Sequence, residues 1–346
     1  DQTASSVFNN LNEESFEPDN IMAIIEELTS EKYKGRLVGT KENELATEYI
    51  AEYYKKIGLE NPKGLEKYMQ YYTQKVLMNN SAPKLEIVDD SGCAMTGYKF
   101  LKNFRVHTVA PGISVKGEVT APSIIVEKST SLSADNEELS GKVLLIPEKI
   151  IKEQGYRGLI TIATSSKINI KGMILEEDIE SPNHRSNHFA VSPYVHESYS
   201  YDNEDGPLIF RCDSSTFKDI CEASKNNLKV GLKADYSVDE VEGANVIGLI
   251  PGSDEDLKDE FIILTAHFDH VGDNKDGTYN PGALDNGSGT AVLMEIARIL
   301  KKSNIQPKRP ILFAAFNGEE EGLYGSKHFV YNTIYDIKKD KTKLKN

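Results

Sequence analysis

The chain has no tryptophan and only three cysteines among 346 residues. Cys93, Cys212 and Cys221 are too few for a disulfide framework, and no Cys-x-x-Cys pair exists, so any zinc here must be held by histidine and carboxylates. Cys212 and Cys221 flank the short segment Asp213 to Ile220, which leaves both a disulfide and a pair of buried thiols open. No run of about 18 apolar residues occurs, so no segment reads as a membrane span. Positive charge is scarce: 40 Lys and Arg face 54 Asp and Glu, for a formal net charge of −14. The basic footprint that nucleic acid demands is missing, so no nucleic-acid partner is expected. The acidity serves solubility, and a local carboxylate cluster would also receive cations or a substrate amine.

What remains is an ordinary globular composition, 39% hydrophobic and 27% charged. The length allows two domains, each with a core of its own. The chain opens at Asp1 without methionine or an apolar leader. It therefore reads as a mature or trimmed product, compatible with a removed signal peptide and a secreted or cell-envelope location. The segment Asp1 to Asn12 reads as a flexible arm.

Asp19 is placed to cap a first helix, whose apolar face is Ile21, Ile24, Ile25 and Leu28. A second helix is expected over about 41–57, buried through Leu45, Tyr49, Ile50, Tyr53 and Ile57 and ended by Gly58. From about Tyr68 the period shortens to that of strands: Tyr72 to Leu77, Lys84 to Val88, Val119 to Val126, Gly141 to Pro147 and Gly158 to Ala163. A helix over Phe217 to Asn226 and a strand over Lys229 to Lys233 follow. The polar stretch Asp235 to Gly243 reads as a domain boundary. Beyond it strands alternate with a helix: Ala244 to Ile250, Phe261 to Ala266, the helix Ser288 to Leu300, then Pro310 to Phe316. That alternation predicts an α/β mixed sheet flanked by helices.

Three motifs follow these last elements. Phe261 to Ala266 is continuously apolar and is expected to be central, buried on both faces. His267 arrives where it ends, and ligands collect beyond the carboxyl ends of strands in open α/β sheets. Neutral imidazole suits zinc, and Asp269 is placed to accept the other ring N–H and fix its tautomer. Asp285 lies between a Pro-Gly turn and a Gly-Ser-Gly helix start. Taken alone it, or Asn286, reads as a helix cap; one carboxylate there can also bridge two cations. Glu319 and Glu320 follow the strand Pro310 to Phe316 in a glycine-bounded turn. Alternate side chains of an extended segment face opposite ways, so one glutamate can bind metal while the other faces the attacking water. Taken alone, Glu319 to Glu321 reads as a solvated acidic turn. The histidines His184, His188 and His196 and the tail lysines read as solvated.

Together the motifs resemble the co-catalytic zinc aminopeptidase family, including its glutamate-carboxypeptidase relatives. The resemblance rests on His267 to Gly272, Gly282 to Gly289 and Gly318 to Ser326, with Gly35-Arg36 and Gly39-Thr40 similar to the family's opening. It implies a zinc-exopeptidase fold with two Zn2+: His267 on the first, Asp285 bridging, Glu320 on the second. Glu319 would be the general base and Asp269 the orienting partner of His267. It implies peptide substrates, cleaved from the amino terminus. It also implies a β-rich protease-associated insertion that roofs the active site or binds a protein partner. The expected division is 1–72 and 237–346 for the peptidase domain and 73–236 for the insertion. The family's pattern needs a later aspartate and a late histidine. His328, Asp336 and Asp340 do not suit those roles, so the chain is expected to be an inactive fragment that binds zinc poorly. Loss of the remainder would leave an apolar, unpaired edge on the 310–316 side. A carboxypeptidase and a glutaminyl cyclase share the same motif positions, and a non-catalytic binding relative would keep the fold without the metal.

Overall fold

The computed structural model describes residues 16–177, 195, 201, 203, 205–304 and 306–334. The opening arm, His184, His188, His196, Asp336, Asp340 and the lysine-rich tail lie outside the described residues. The chain forms two compact units, one comprising 1–76, 240–273 and 278–346, the other 77–239 and 274–277.

The first unit carries the three motifs. Its helix Lys41–Ile57 starts at Thr40, whose hydroxyl accepts from the Asn43 N–H, and stops at Gly58, which takes φ +80°. Glu42 and Glu44 in its first turn and Lys55 and Lys56 in its last complement the helix dipole. The earlier helix, Pro18–Leu28, begins with proline and has Glu17, not Asp19, at its cap position. Proline there has no N–H to satisfy, so a side-chain cap matters less. The strands Ile262–His267 and Ile311–Phe316 run parallel, in register from Ile262 opposite Ile311 to His267 opposite Phe316. The helix Ser288–Lys302 joins them. On the other side, Ile311–Phe316 pairs antiparallel with the 246–250 end of the strand Lys229–Ile250. Ile24, Leu28, Ile50, Tyr54, Met294 and Phe313 meet in the core of this unit.

Two expectations change here. The strand Ile262–His267 lies at the end of the sheet order, and Phe261, Ile262 and Ile263 are exposed. The end of the sheet on this side is therefore Ile262–His267; Ile311–Phe316 has partners on both sides. Hydrophobicity reports what a strand is fit to pack against, not how many neighbours are present. The stretch Asp235 to Gly243, read as a domain boundary, holds the division between the two units, after Asp239, and is itself the middle of the continuous strand Lys229–Ile250. A backbone paired along its length keeps polar side chains extended when one face meets water.

In the second unit, Lys116–Ile125 pairs antiparallel with 229–235. Val143–Ile146, Gly172–Glu176 and Leu208–Cys212 continue the sheet in parallel, and Phe104–Val106 closes it antiparallel to Leu208–Cys212. Alternation along Val143–Ile146 divides the core. Val143 and Leu145 pack with Phe217 and Ile220 of the helix Ser214–Lys225. Leu144 and Ile146 pack with Leu159 and Ile160 of the helix Glu148–Ala163. The expected strand Gly158 to Ala163 is thus the second half of a helix. A short β-branched run cannot be told from a buried helix face by period alone, and the residues before it supply the needed length. Cys212 and Cys221 are free thiols. No helix among the described residues is long and apolar enough to cross a membrane.

Candidate metal centre

The parallel pair delivers two motifs to one place because both strands end at the same edge. His267 closes its strand, and Thr290, one turn into the following helix, donates to the His267 carbonyl at 2.8 Å. His267 Nε2 lies 3.2 Å from Asp285 Oδ1 and 4.0 Å from Glu319 Oε2. Its Nδ1 faces Asp269 Oδ1 at 3.6 Å. Asp269 is fully buried, and its other oxygen accepts the Glu320 N–H at 3.1 Å. Glu319 and Glu320 do face different ways: Glu319 turns to His267, whereas Glu320 Oε1 sits 2.6 Å from His270 Nδ1. The structure therefore gathers His267, Asp269, Asp285 and Glu319 around one imidazole and ties Glu320 to a neighbouring one. The Asp285–Asn286 peptide is cis.

Negative charge dominates the site. Burial opposes the charged form of His267, but Asp269, Glu319 and Asp285 outweigh it and lift the imidazole to about 9. Burial also raises the Glu319 carboxyl, helped by Glu320, Asp269 and Asp285 and opposed by His267. Behind them Glu321 is wholly buried, and burial followed by the Asp269 charge pushes its carboxyl far above the ordinary range. Gln74 Nε2 donates to Glu321 at 3.2 Å. Such a cluster is relieved by any cation that enters it.

The residues fit zinc in kind. Imidazole nitrogen and carboxylate oxygen each bind zinc at about 2.0–2.2 Å, so two ligands of one tetrahedral ion stand about 3.4 Å apart. The His267–Asp285 separation of 3.2 Å is close to that spacing. His267 Nδ1 and Asp269 Oδ1 are buried without hydrogen-bond partners. A small ring movement joins them, which leaves the Nε2 lone pair facing Asp285. Among the described residues no three His, Cys, Asp or Glu side chains yet surround a common point.

Three features were not assigned from sequence. His270, next to the first motif, is the partner of Glu320. Arg36 is fully buried and spends its donors on main-chain carbonyls of the motif loops. The glutamate turn is anchored by buried amides: Asn43 and Asn317 exchange two side-chain hydrogen bonds of 3.0 and 2.8 Å, and Asn245 Oδ1 accepts the Asn317 N–H. Gly-Arg in the opening motif was a visible signal without a geometric meaning; isolated asparagines gave none. His328 stacks near Tyr72 and meets Asn332, apart from this cluster. Beside His267 and Glu319 opens a cavity of about 330 Å3, walled by Ala266, Phe316 and Leu323.

The histidine and carboxylates stand at the carboxyl ends of parallel strands, where ligands collect in open α/β sheets. Residues 245–345 match the model of peptidase family M28. Aminopeptidase YwaD of Bacillus subtilis is 45% identical over 71 residues, 20% of this chain and 14% of that protein. A probable zinc metalloprotease of Leptosphaeria maculans is 45% identical over 85 residues, 24% of this chain and 19% of that protein. These matches thus span under a fifth of the relatives' own length. The fold is that of an aminopeptidase from Aneurinibacillus sp. strain AM-1, with a TM-score of 0.56 at 18% identity, covering 92% of this chain and 67% of that one. A zinc aminopeptidase from Bacillus subtilis gives a TM-score of 0.53 at 21% identity, covering 91% and 64%.

Proposed function

We propose that the protein carrying this chain is a zinc-dependent exopeptidase that removes amino-terminal residues from peptides. The observation that carries the reading is the convergence of His267, Asp285 and Glu319 within 4.0 Å of one imidazole nitrogen, from three separate motifs. His267, Asp285 and Glu320 are the residues that would hold the zinc, two ions in this reading. Bound zinc supplies Lewis acidity, polarising the scissile carbonyl and acidifying water.

The chain's own residues do the rest. Asp269, 3.6 Å from His267 Nδ1, is placed to fix the ring in one tautomer. Glu319, half-buried and raised toward neutrality by burial, is suited to take a proton from water and give it to the leaving amine. The surplus of carboxylates attracts the free amino group of a substrate. The unit around 77–239 is proposed as a protease-associated insertion that contacts a protein partner, and the location as secreted or cell envelope.

One relative is named a glutamate carboxypeptidase 2 homolog, in Caenorhabditis elegans, at 39% identity over 99 residues. That supports carboxypeptidase action as the second reading, and a panel of amino- and carboxy-blocked peptides separates the two. The decisive variant is Glu319→Ala in the complete protein. It should keep its zinc and lose peptidase activity by at least a hundredfold. Activity that persists with zinc bound removes Glu319 as the base.

A further inference from the structure

Arg36 is a charged side chain with no access to water. Burying a guanidinium costs several kcal/mol unless its donors are used. Here they go to four carbonyls: Nε to Phe268, Nη1 to Leu28 at 2.7 Å and Pro281 at 2.7 Å, Nη2 to Gly282 at 3.0 Å. Phe268 stands between His267 and Asp269. Pro281 and Gly282 begin the turn that presents Asp285. One rigid fork therefore spans the first and second motifs, with its third anchor at the end of the helix Pro18–Leu28.

The surroundings leave this fork no slack. Gly35 takes φ +76°, and a Cβ there would fall 2.5 Å from the Asn280 carbonyl and 2.8 Å from that of Gly272. Gly282 takes φ +60°, and its Cβ would fall 2.7 Å from Arg36 Nη2 and 2.6 Å from His270 Cγ. The Gly272 N–H bonds back to the Gly35 carbonyl at 3.2 Å, and Asn43 Nδ2 holds the Arg36 carbonyl at 2.7 Å. The charge also faces the site: burial works against it, and Asp269, Glu320 and Asp285 support it.

We propose that Arg36 is a positioning residue for the metal centre: its guanidinium, by bonding the Phe268, Pro281 and Gly282 carbonyls at once, sets the distance between the loop of His267 and the loop of Asp285 and thereby the affinity for zinc. The inference rests on the zinc reading above. It assigns Arg36 no contact with substrate. A lysine carries the charge but only a single donor head, so it cannot span the same carbonyls.

The test is zinc affinity, measured by chelator competition on the complete protein well below its melting transition, for the unsubstituted form, Arg36→Lys, Arg36→Met and the control Arg298→Lys. Arg298 pairs with Glu295 away from the cluster. Loss of a side chain that orients zinc ligands costs 10–100-fold in affinity. Both Arg36 variants should weaken zinc by about that factor, and Arg298→Lys should not. A purely structural role would lower the melting temperature of the metal-free protein and leave zinc affinity of the folded form unchanged; that result overturns the proposal. Full affinity in Arg36→Lys overturns the role of the fork and leaves only charge. If neither Arg36 variant unfolds cooperatively, Arg36 is a determinant of folding and the positioning role falls. An unsubstituted protein that binds no zinc defeats the zinc reading itself, which is a separate outcome.

Discussion

Replacing Asn43 by alanine should unfasten the glutamate turn from the helix Lys41–Ile57. Both asparagine side chains are buried, Asn43 at 3% exposure and Asn317 at 0%. The substitution removes the reciprocal bonds of 3.0 and 2.8 Å and the bond from Asn43 Nδ2 to the Arg36 carbonyl. It leaves the Asn317 amide N–H and the Arg36 carbonyl without those partners. Asn317 Oδ1 keeps one donor, the Gly318 N–H at 3.1 Å. Each buried group left unsatisfied costs about 1–3 kcal/mol, so with two such groups Asn43→Ala should destabilise the fold by about 2–6 kcal/mol. That is a large part of a typical 5–15 kcal/mol. The companion Asn317→Ala removes the other half, and the double variant should cost clearly less than the sum. A coupling energy of about 1–3 kcal/mol is expected for two groups in one buried network. Urea unfolding followed by far-UV circular dichroism gives all four values. An Asn43→Ala penalty below about 1 kcal/mol, or a coupling below about 0.5 kcal/mol, refutes the claim that this amide pair anchors the turn.

Glu321→Gln should stabilise the metal-free protein at neutral pH. The carboxyl is raised well above its ordinary value by burial, so its contribution is whole below about pH 4.5 and is lost as pH rises toward the folded value. The glutamine variant should melt higher at pH 7–8 and show a flatter pH dependence, and an unchanged pH profile contradicts it. His107 is buried beside Arg211, and burial, then Arg211, holds its pKa well below 6.5. Its contribution is present above about pH 6.5 and is lost as pH falls toward the folded value, so His107→Gln should flatten the loss of melting temperature on acidification. Ile263→Lys in the 346-residue chain should change stability by no more than about 0.5 kcal/mol, because Ile263 is exposed on the edge strand. A loss of several kcal/mol would mean the strand is covered on that face.

The unit that carries the three motifs was legible where chemistry is concentrated in short motifs. His267, Asp285 and Glu319 could be named because each follows an apolar strand or opens a helix, and parallel pairing then brings the strand ends together. The helix Lys41–Ile57 was readable from its threonine start and glycine stop. What escaped depends on partners distant in sequence. The exposure of Ile262–His267 depends on what lies beside it, which its own hydrophobicity does not record. Gly158 to Ala163 fits either period; it is helical as the continuation of a helix begun at Glu148 and packed on Leu144 and Met173. The pairing of Glu320 with His270, and the buried amides of Asn43, Asn245 and Asn317, arise from folding and leave no local pattern.

The central claim is that His267 and Asp285 hold a common metal ion. Zinc content of the purified complete protein, measured beside His267→Ala and Asp285→Ala, tests it most directly. The account predicts up to two zinc ions per unsubstituted chain and loss of metal in both variants while the fold is retained. Zinc bound equally well by all three proteins, or by none, contradicts it.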